Sequence, residues 1–208
     1  RGALLSGPSG VGKTLFAKAL AATCGVPLVA TSVSLWHKEQ YLNGTLTAMR
    51  KDFAKAMSVT PSIIFVDEVD GIGNRATIRG EYRQYWDQVV NTLLECLDGC
   101  DRRVGVVVVA ACNDPDRIDP AILRSGRLER HIRIPMPSAS ALESMFRHYL
   151  AGSLAGEDLV PIAALARGGT GADVERWVRE ARRIARNERR TVRLDDLAAA
   201  IRGPASEL

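Results

Sequence analysis

Eight residues near the start of the chain, Gly7-Pro8-Ser9-Gly10-Val11-Gly12-Lys13-Thr14, constrain its fold more than any other stretch. They fit the pattern GxxxxGK[ST], with an apolar run at 3–6 before them and a helical pattern over 13–23 after them. A strand, a glycine-rich turn and a helix N-terminus in that order form a phosphate cradle. The glycines let successive backbone N–H groups turn inward on phosphate oxygens, and the helix N-terminus adds positive potential. Lys13 can reach the β- and γ-phosphates, and the Thr14 hydroxyl can join the shell of a Mg²⁺ ion. The motif predicts a P-loop α/β domain that binds a nucleoside triphosphate with Mg²⁺.

Further apolar runs follow at 27–31, 62–67, 104–111 and 131–134. The run at 104–111 is continuously apolar and rich in valine, as a strand covered on both faces requires. Helical patterns separate the runs, at 45–57 and 85–97 as well as 13–23. Strands alternating with helices imply a parallel sheet with right-handed crossovers. After Pro135-Met136-Pro137 the pattern is helical only, at 140–150, 159–166, 173–187 and 194–201. The expected organisation is an α/β core over 1–137 and a small all-helical domain over 138–208.

A second constellation reinforces the first. Ile63-Ile64-Phe65-Val66-Asp67-Glu68 is an apolar strand ending in two carboxylates. In an open parallel sheet ligands sit at the carboxyl ends of the strands, which aims both acids at the nucleotide. Asp67 is expected to hold Mg²⁺, directly or through its waters, and Glu68 to polarise the attacking water.

The remaining composition narrows the setting. The net charge of +4 permits acidic partners without demanding them. Cys24, Cys96, Cys100 and Cys112 form no CxxC pair and read as reduced thiols of a cytoplasmic, or cytoplasm-facing, domain. No apolar run reaches the roughly eighteen residues of a membrane span, and no signal peptide is visible. The chain opens at Arg1 without an initiator Met and reads as a piece of a longer protein. It contains no HExxH, and none of His37, His131 or His148 sits beside a Ser or Cys in a hydrolase motif.

Taken together, these motifs resemble those of the AAA ATPases, over nearly the whole chain. The phosphate cradle is followed by Asp67-Glu68-Val69-Asp70-Gly71-Ile72-Gly73 and by Ala110-Ala111-Cys112-Asn113. Then comes Ile118-Asp119-Pro120-Ala121-Ile122-Leu123-Arg124-Ser125-Gly126-Arg127-Leu128-Glu129-Arg130, similar to the second region of homology that sets AAA proteins apart from other P-loop proteins. Gly171-Ala172-Asp173 resembles the helix start that faces the nucleotide from the small domain. Within the family, the chain is similar to the membrane-anchored bacterial AAA proteases and the valosin-containing unfoldases.

The resemblance implies a five-stranded parallel sheet with a helical lid, ATP with Mg²⁺ in the crevice between them, and hydrolysis within a homo-oligomer, a hexamer. It implies nucleotide contacts from Gly7, Pro8, Ser9, Gly10, Val11, Gly12, Lys13, Thr14 and Leu15, with Gly171 and Ala172 from the small domain. Thr14 and Asp67 become the metal positions, Glu68 the general base and Asn113 the polar sensor of the γ-phosphate. Arg124 and Arg127 match the arginine fingers that reach a neighbour's nucleotide. A guanidinium there offsets charge spread over the equatorial oxygens; as alternatives, both could end a solvated helix or form structural ion pairs.

Tyr41-Leu42 aligns with the aromatic-hydrophobic pair of the pore loop that grips extended polypeptide, although Asn43 stands where the family has Gly. Trp36 could grip instead, or pack on the core. The aromatic stretch 80–86 occupies the place of a second pore loop. The linker that walls the adenine before the first strand is missing. Arg176, Arg179, Arg183, Arg186 and Arg190 recur on one helix face opposite Val174, Trp177, Val178 and Ala181. That stripe reads as a solvated face, a subunit contact or a nucleic-acid surface. The function expected is ATP-driven remodelling or unfolding of protein substrates. The rivals are a DNA- or RNA-directed motor or loader, supported by the stripe alone, and a nucleotide-dependent assembly scaffold.

Overall fold

A computed structural model describes residues 2–39, 41–77, 79–80, 83–101 and 105–203. It divides into two compact units, Arg1–Pro8 with Lys13–Ile134, and Ser9–Gly12 with Pro135–Leu208.

The first unit is built on five parallel strands: β1 (Gly2–Ser6), β2 (Leu28–Ser32), β3 (Ser62–Asp67), β4 (Val106–Cys112) and β5 (Arg130–Arg133). Their order across the sheet is β2-β3-β4-β1-β5. Alternation along the strands splits the apolar residues between two faces. Leu5, Ile63, Phe65, Val109 and Ala111 pack under Ala17 and Ala21 of α1 (Lys13–Cys24). Leu4, Ile64, Val66, Val108 and Ala110 pack against α3 (Leu42–Ser58) and α4 (Arg83–Asp101), through Met49, Phe53, Val89 and Leu93. Covering both faces explains why β3 and β4 read as unbroken apolar runs. Burying a side chain such as Phe65 contributes about 1.5–3 kcal/mol. The edge strand β5 is exposed and carries Arg130, His131 and Arg133, charge that discourages pairing with another sheet.

The sequence pattern misses a short helix, α2 (Val33–Trp36), capped by Ser32, whose Oγ accepts from Leu35 N. It also starts α3 too late: the helix begins at Leu42 and takes in Asn43 and Gly44. Trp36 packs; it is buried and its Nε1 donates to Asp52 Oδ2 at 2.8 Å. Glu81 and Tyr82 of the aromatic stretch, and Val104 of the fourth apolar run, lie outside the described residues. Tyr85 and Trp86 are half-buried in α4 and meet edge to face at 5.2 Å, with His37 the same distance from Trp86.

The second unit holds α5 (Ala139–Leu150), α6 (Val160–Leu165), α7 (Gly171–Asn187) and α8 (Leu194–Arg202) around Leu142, Phe146, Leu159, Val174, Trp177 and Leu197. A capping box starts α7, with Thr170 and Asp173 satisfying each other's backbone N–H. The arginine stripe is not a free basic face. Arg176, Arg179 and Arg183 pair with Asp173, Glu175 and Glu180 on their own helix. Arg190 lies beyond the end of α7 and holds the buried Asp196 near the start of α8. No helix among the described residues is long and apolar enough to cross a membrane.

Candidate functional site

The three strands that carry the motifs, β3, β4 and β1, are neighbours, and their register brings their C-terminal ends level. Ser6 pairs with Cys112 and Val66 with Ala110. The residues that follow each strand, Gly7, Glu68 and Asn113, therefore emerge along one edge of the sheet. Gly7 N donates to Cys112 O at 3.3 Å and extends the ladder one step into the loop.

Lys13 is buried, with 7% of its surface exposed, so its ammonium needs protein acceptors. Nζ has three protons to donate, and three oxygens lie within reach: Gly7 O at 2.7 Å, Pro8 O at 2.9 Å and Asn113 Oδ1 at 2.7 Å. The charge is thus fixed between the loop and the end of β4. Beside it, Thr14 Oγ1 donates to Asp67 Oδ2 at 2.9 Å, which brings the hydroxyl and carboxylate expected at the metal into contact.

Glu68 is exposed, with φ 56° and ψ 38°. This left-handed conformation is uncommon for a residue with a Cβ and tends to mark functional positions. It breaks the strand at Asp67, and Glu68 N donates back to Asp67 Oδ1 at 2.9 Å. A short 3₁₀ turn, Val69–Ile72, follows and buries Asp70. Asp70 Oδ2 accepts from Asn113 N and Asp114 N, each at 3.2 Å. The segment after Glu68 and the segment at Asn113 are therefore tied by a carboxylate that the sequence pattern does not single out. Its one signal is an acid in an otherwise apolar stretch three residues past the strand end. Next to Asn113, burial pushes the Cys112 thiol up to about 12, so it stays protonated.

In the second unit the loop tip meets the start of α7. Ala172 N donates to Gly10 O at 3.4 Å. Gly10 has φ +80°, and a Cβ there would lie 2.6 Å from Thr170 Oγ1, so glycine is required twice over. Gly12, at φ +100°, has nothing within 4 Å of where a Cβ would stand. Val11 is buried, whereas Pro8 and Ser9 are exposed and Leu15 projects from α1 at 66% exposure.

The segment bearing the two expected fingers divides them. Arg124 is exposed, and its side chain makes no hydrogen bond or ion pair among the described residues. Arg127 is instead committed within its own chain, to Asp98 and the Ala121 carbonyl. The hydrogen bond to Asp98 raises its pKa further. Upstream, Arg75 grips the buried Asp119 through Nε at 2.7 Å and Nη2 at 3.2 Å. Tyr41 stands out at 78% exposure just before α3, while Leu42 is half-buried against the core. The four cysteines are free; Cys100 and Cys112 are buried and Cys24 is exposed.

These residues fit Mg-ATP. The loop offers N–H donors at a helix start and a fixed ammonium for phosphates. Among the described residues no three His, Cys, Asp or Glu side chains converge. A cation beside Thr14 and Asp67 would therefore draw most of its oxygen ligands from phosphate and water, the habit of Mg²⁺.

Similarity to known proteins follows the same lines. Residues 3–136 match the model of the ATPase family associated with various cellular activities (AAA). The chain is 37% identical over 205 residues to an ATP-dependent zinc metalloprotease FtsH of Caldicellulosiruptor bescii, covering 97% of this chain and 33% of that protein. It is 40% identical over 187 residues to FtsH 3 of Sphaerobacter thermophilus, covering 89% of this chain and 38% of the relative. It is also 40% identical over 194 residues to a cell division cycle protein 48 homologue of Archaeoglobus fulgidus, covering 90% and 26%. The chain thus spans about a third of the length of the relatives it matches.

Proposed function

This chain belongs to the AAA family of ATPases, and from that premise we propose that it hydrolyses ATP with Mg²⁺ in a ring whose subunits share active sites and remodel or unfold protein substrates. The observation that carries the reading is the contact between Lys13 and Asn113 beside the Thr14–Asp67 pair, at the level ends of three adjacent strands. Bound Mg²⁺ would supply Lewis acidity at the phosphates. In the proposed division of labour, Lys13 orients the β- and γ-phosphates, and Thr14 and Asp67 hold the cation. Asn113 orients the terminal phosphoryl group, and Glu68 takes a proton from the attacking water. Gly10 and Val11 of the loop, with Gly171 and Ala172, complete the nucleotide contacts. Tyr41 supplies the exposed aromatic grip on substrate. The nucleic-acid reading loses much of its one support, because Arg176, Arg179 and Arg183 pair with carboxylates of their own helix and Arg190 with Asp196 of α8.

Arg124 supplies the test, since a residue acting on a neighbour's nucleotide makes activity depend on assembly. Arg124→Ala is expected to bind ATP and to lose turnover by about 10³-fold or more. Mixed with Glu68→Gln under subunit exchange, it should recover activity in part, because some interfaces then pair an intact Glu68 with an intact Arg124. No recovery, together with activity independent of protein concentration, refutes the shared site.

A further inference from the structure

Four arginines of the second unit border one open groove of about 810 Å³: Arg182, Arg186, Arg189 and Arg190, in the last turns of α7 and just beyond it. No carboxylate of the described residues lines it. Two of the four arginines are already engaged. Arg190 is held by Asp196 and Glu188. Arg182 Nη2 donates to Tyr149 O at 2.8 Å and to Leu150 O at 3.2 Å, at the end of α5. The side chains of Arg186 and Arg189 are exposed and make no hydrogen bond or ion pair among the described residues. They differ in this from Arg176, Arg179 and Arg183, each of which has a carboxylate three or four positions away on the helix.

Arg189 also occupies a backbone position that does not favour it. Arg189 N donates to Arg186 O at 3.0 Å and Arg190 N to Ala185 O at 3.1 Å. This pair of bonds ends a helix on a left-handed residue, a place usually taken by glycine and sometimes by asparagine. Arg189 takes it with φ 53°, where a Cβ crowds the backbone. A cation near a helix C-terminus is favourable, but Arg186 and Arg190 already supply that charge. Among the described residues four other than glycine have positive φ. Glu68 stands at the phosphate site, Leu154 and Arg189 line the groove, and Ala151 lies in the turn that leads to Leu154. Strain of this kind collects at active sites and ligand clamps.

We propose that this groove docks an acidic segment of a partner polypeptide, with carboxylates on the guanidinium groups of Arg186 and Arg189. A guanidinium takes a carboxylate through two parallel hydrogen bonds. Leu154 and Val192 pack on the core of this unit and give the groove an apolar floor, which fits apolar side chains set between the acids. A nucleic-acid strand fits less well. Among the described residues no aromatic ring lines the groove for a base to stack on. The arginines that would continue a phosphate track along α7 are paired. The site belongs to the helical unit alone and does not depend on the shared-site reading.

Fluorescence anisotropy of a labelled peptide of Glu-Glu-Leu repeats tests this on the full chain, with excess ADP present to fill the phosphate loop. Binding should be saturable, should weaken as salt screens the pairs, and should be lost when every Glu of the peptide is replaced by Gln. Arg186→Ala and Arg189→Gly should each weaken it about 3-fold to 10-fold, with basal ATP turnover unchanged. Arg186→Lys, which keeps the charge and loses the fork, should fall between the wild type and Arg186→Ala. Arg189→Gly installs the residue that the turn prefers, so its thermal midpoint should rise by about 1–4 °C while binding falls. An arginine with a merely structural role would show no such opposition.

No saturable binding up to about 1 mM peptide, or equal affinity for the wild type and both variants, overturns the proposal. Tighter binding of an oligothymidylate than of the peptide does so too, since the groove would then be a phosphate track. If either variant changes the self-association of the chain, the face is a contact between copies and the proposal falls as well. Should Arg186→Ala fail to fold, Arg189→Gly decides by itself.

Discussion

Replacing Glu68 by glycine and by alanine tests backbone and chemistry at one position. Both variants remove the carboxylate, so both should lose turnover by about 10²–10⁴-fold, the scale for losing a general base. Their stabilities should differ in the opposite sense to an ordinary position. At φ 56° and ψ 38° the Cβ crowds its own backbone, at a cost of about 1–2 kcal/mol. Glycine escapes that cost but returns about 0.4–1 kcal/mol through its freer unfolded chain. Glu68 is exposed and its side chain makes no hydrogen bond among the described residues, so little else changes. The net expectation is that Glu68→Gly is more stable than Glu68→Ala by about 0.5–1 kcal/mol. With a urea slope of about 2 kcal/mol/M, the midpoints should lie about 0.3–0.5 M apart. Urea unfolding followed by Trp36 fluorescence, with Trp86 and Trp177 replaced by Phe, reads this in the first unit. An alanine variant as stable as the glycine one refutes the left-handed strand exit. Near-normal hydrolysis by either removes Glu68 from the general-base role.

Lys13→Ala takes away the ammonium that spans the loop and Asn113, and a fluorescent ATP analogue should show binding abolished or severely weakened; unchanged affinity would sink the phosphate assignment. Asp70→Leu leaves the N–H groups of Asn113 and Asp114 without their shared acceptor, so steady-state kcat should drop about 10²-fold, while Asp70→Asn, which keeps an oxygen there, should retain most of the rate. Arg190 beside Asp196 holds its carboxyl below the ordinary Asp value of 3.8, so the pair's contribution is complete above that pH and is lost as pH falls through the lower folded value. Asp196→Asn should therefore lower the thermal midpoint at pH 7 by several degrees and flatten its decline below pH 3.8; an unchanged acid limb argues that the pair does not support the helical unit.

The motifs legible in the sequence are those whose members are close in the chain. The loop at 7–14 and the run 62–68 announce their chemistry because a turn or strand end fixes neighbouring residues relative to one another. Strands β3 and β4 are equally plain, since both faces are covered over most of their length and the runs stay apolar there. What the sequence hides is partnership at long range. Asp70 meets Asn113 across 43 positions, Arg75 meets Asp119 across 44, and Asp98 meets Arg127 across 29. A solitary carboxylate carries no mark of the donor it will face.

The same contrast explains the misread details. The start of α3 was hidden because Asn43-Gly44 reads as a turn, yet Leu42 packs on the core and pulls both residues into the helix. Arg124 and Arg127 look alike on paper, being two arginines three residues apart. Local spacing determined that both lie on one turn after β4. Only the fold, by placing Asp98 of α4 against that turn, decided that one guanidinium is paired within the chain while the other has no partner among the described residues. A charge's role is set by which opposite charge the tertiary structure brings within hydrogen-bonding distance, and that distance is a property of the packed chain.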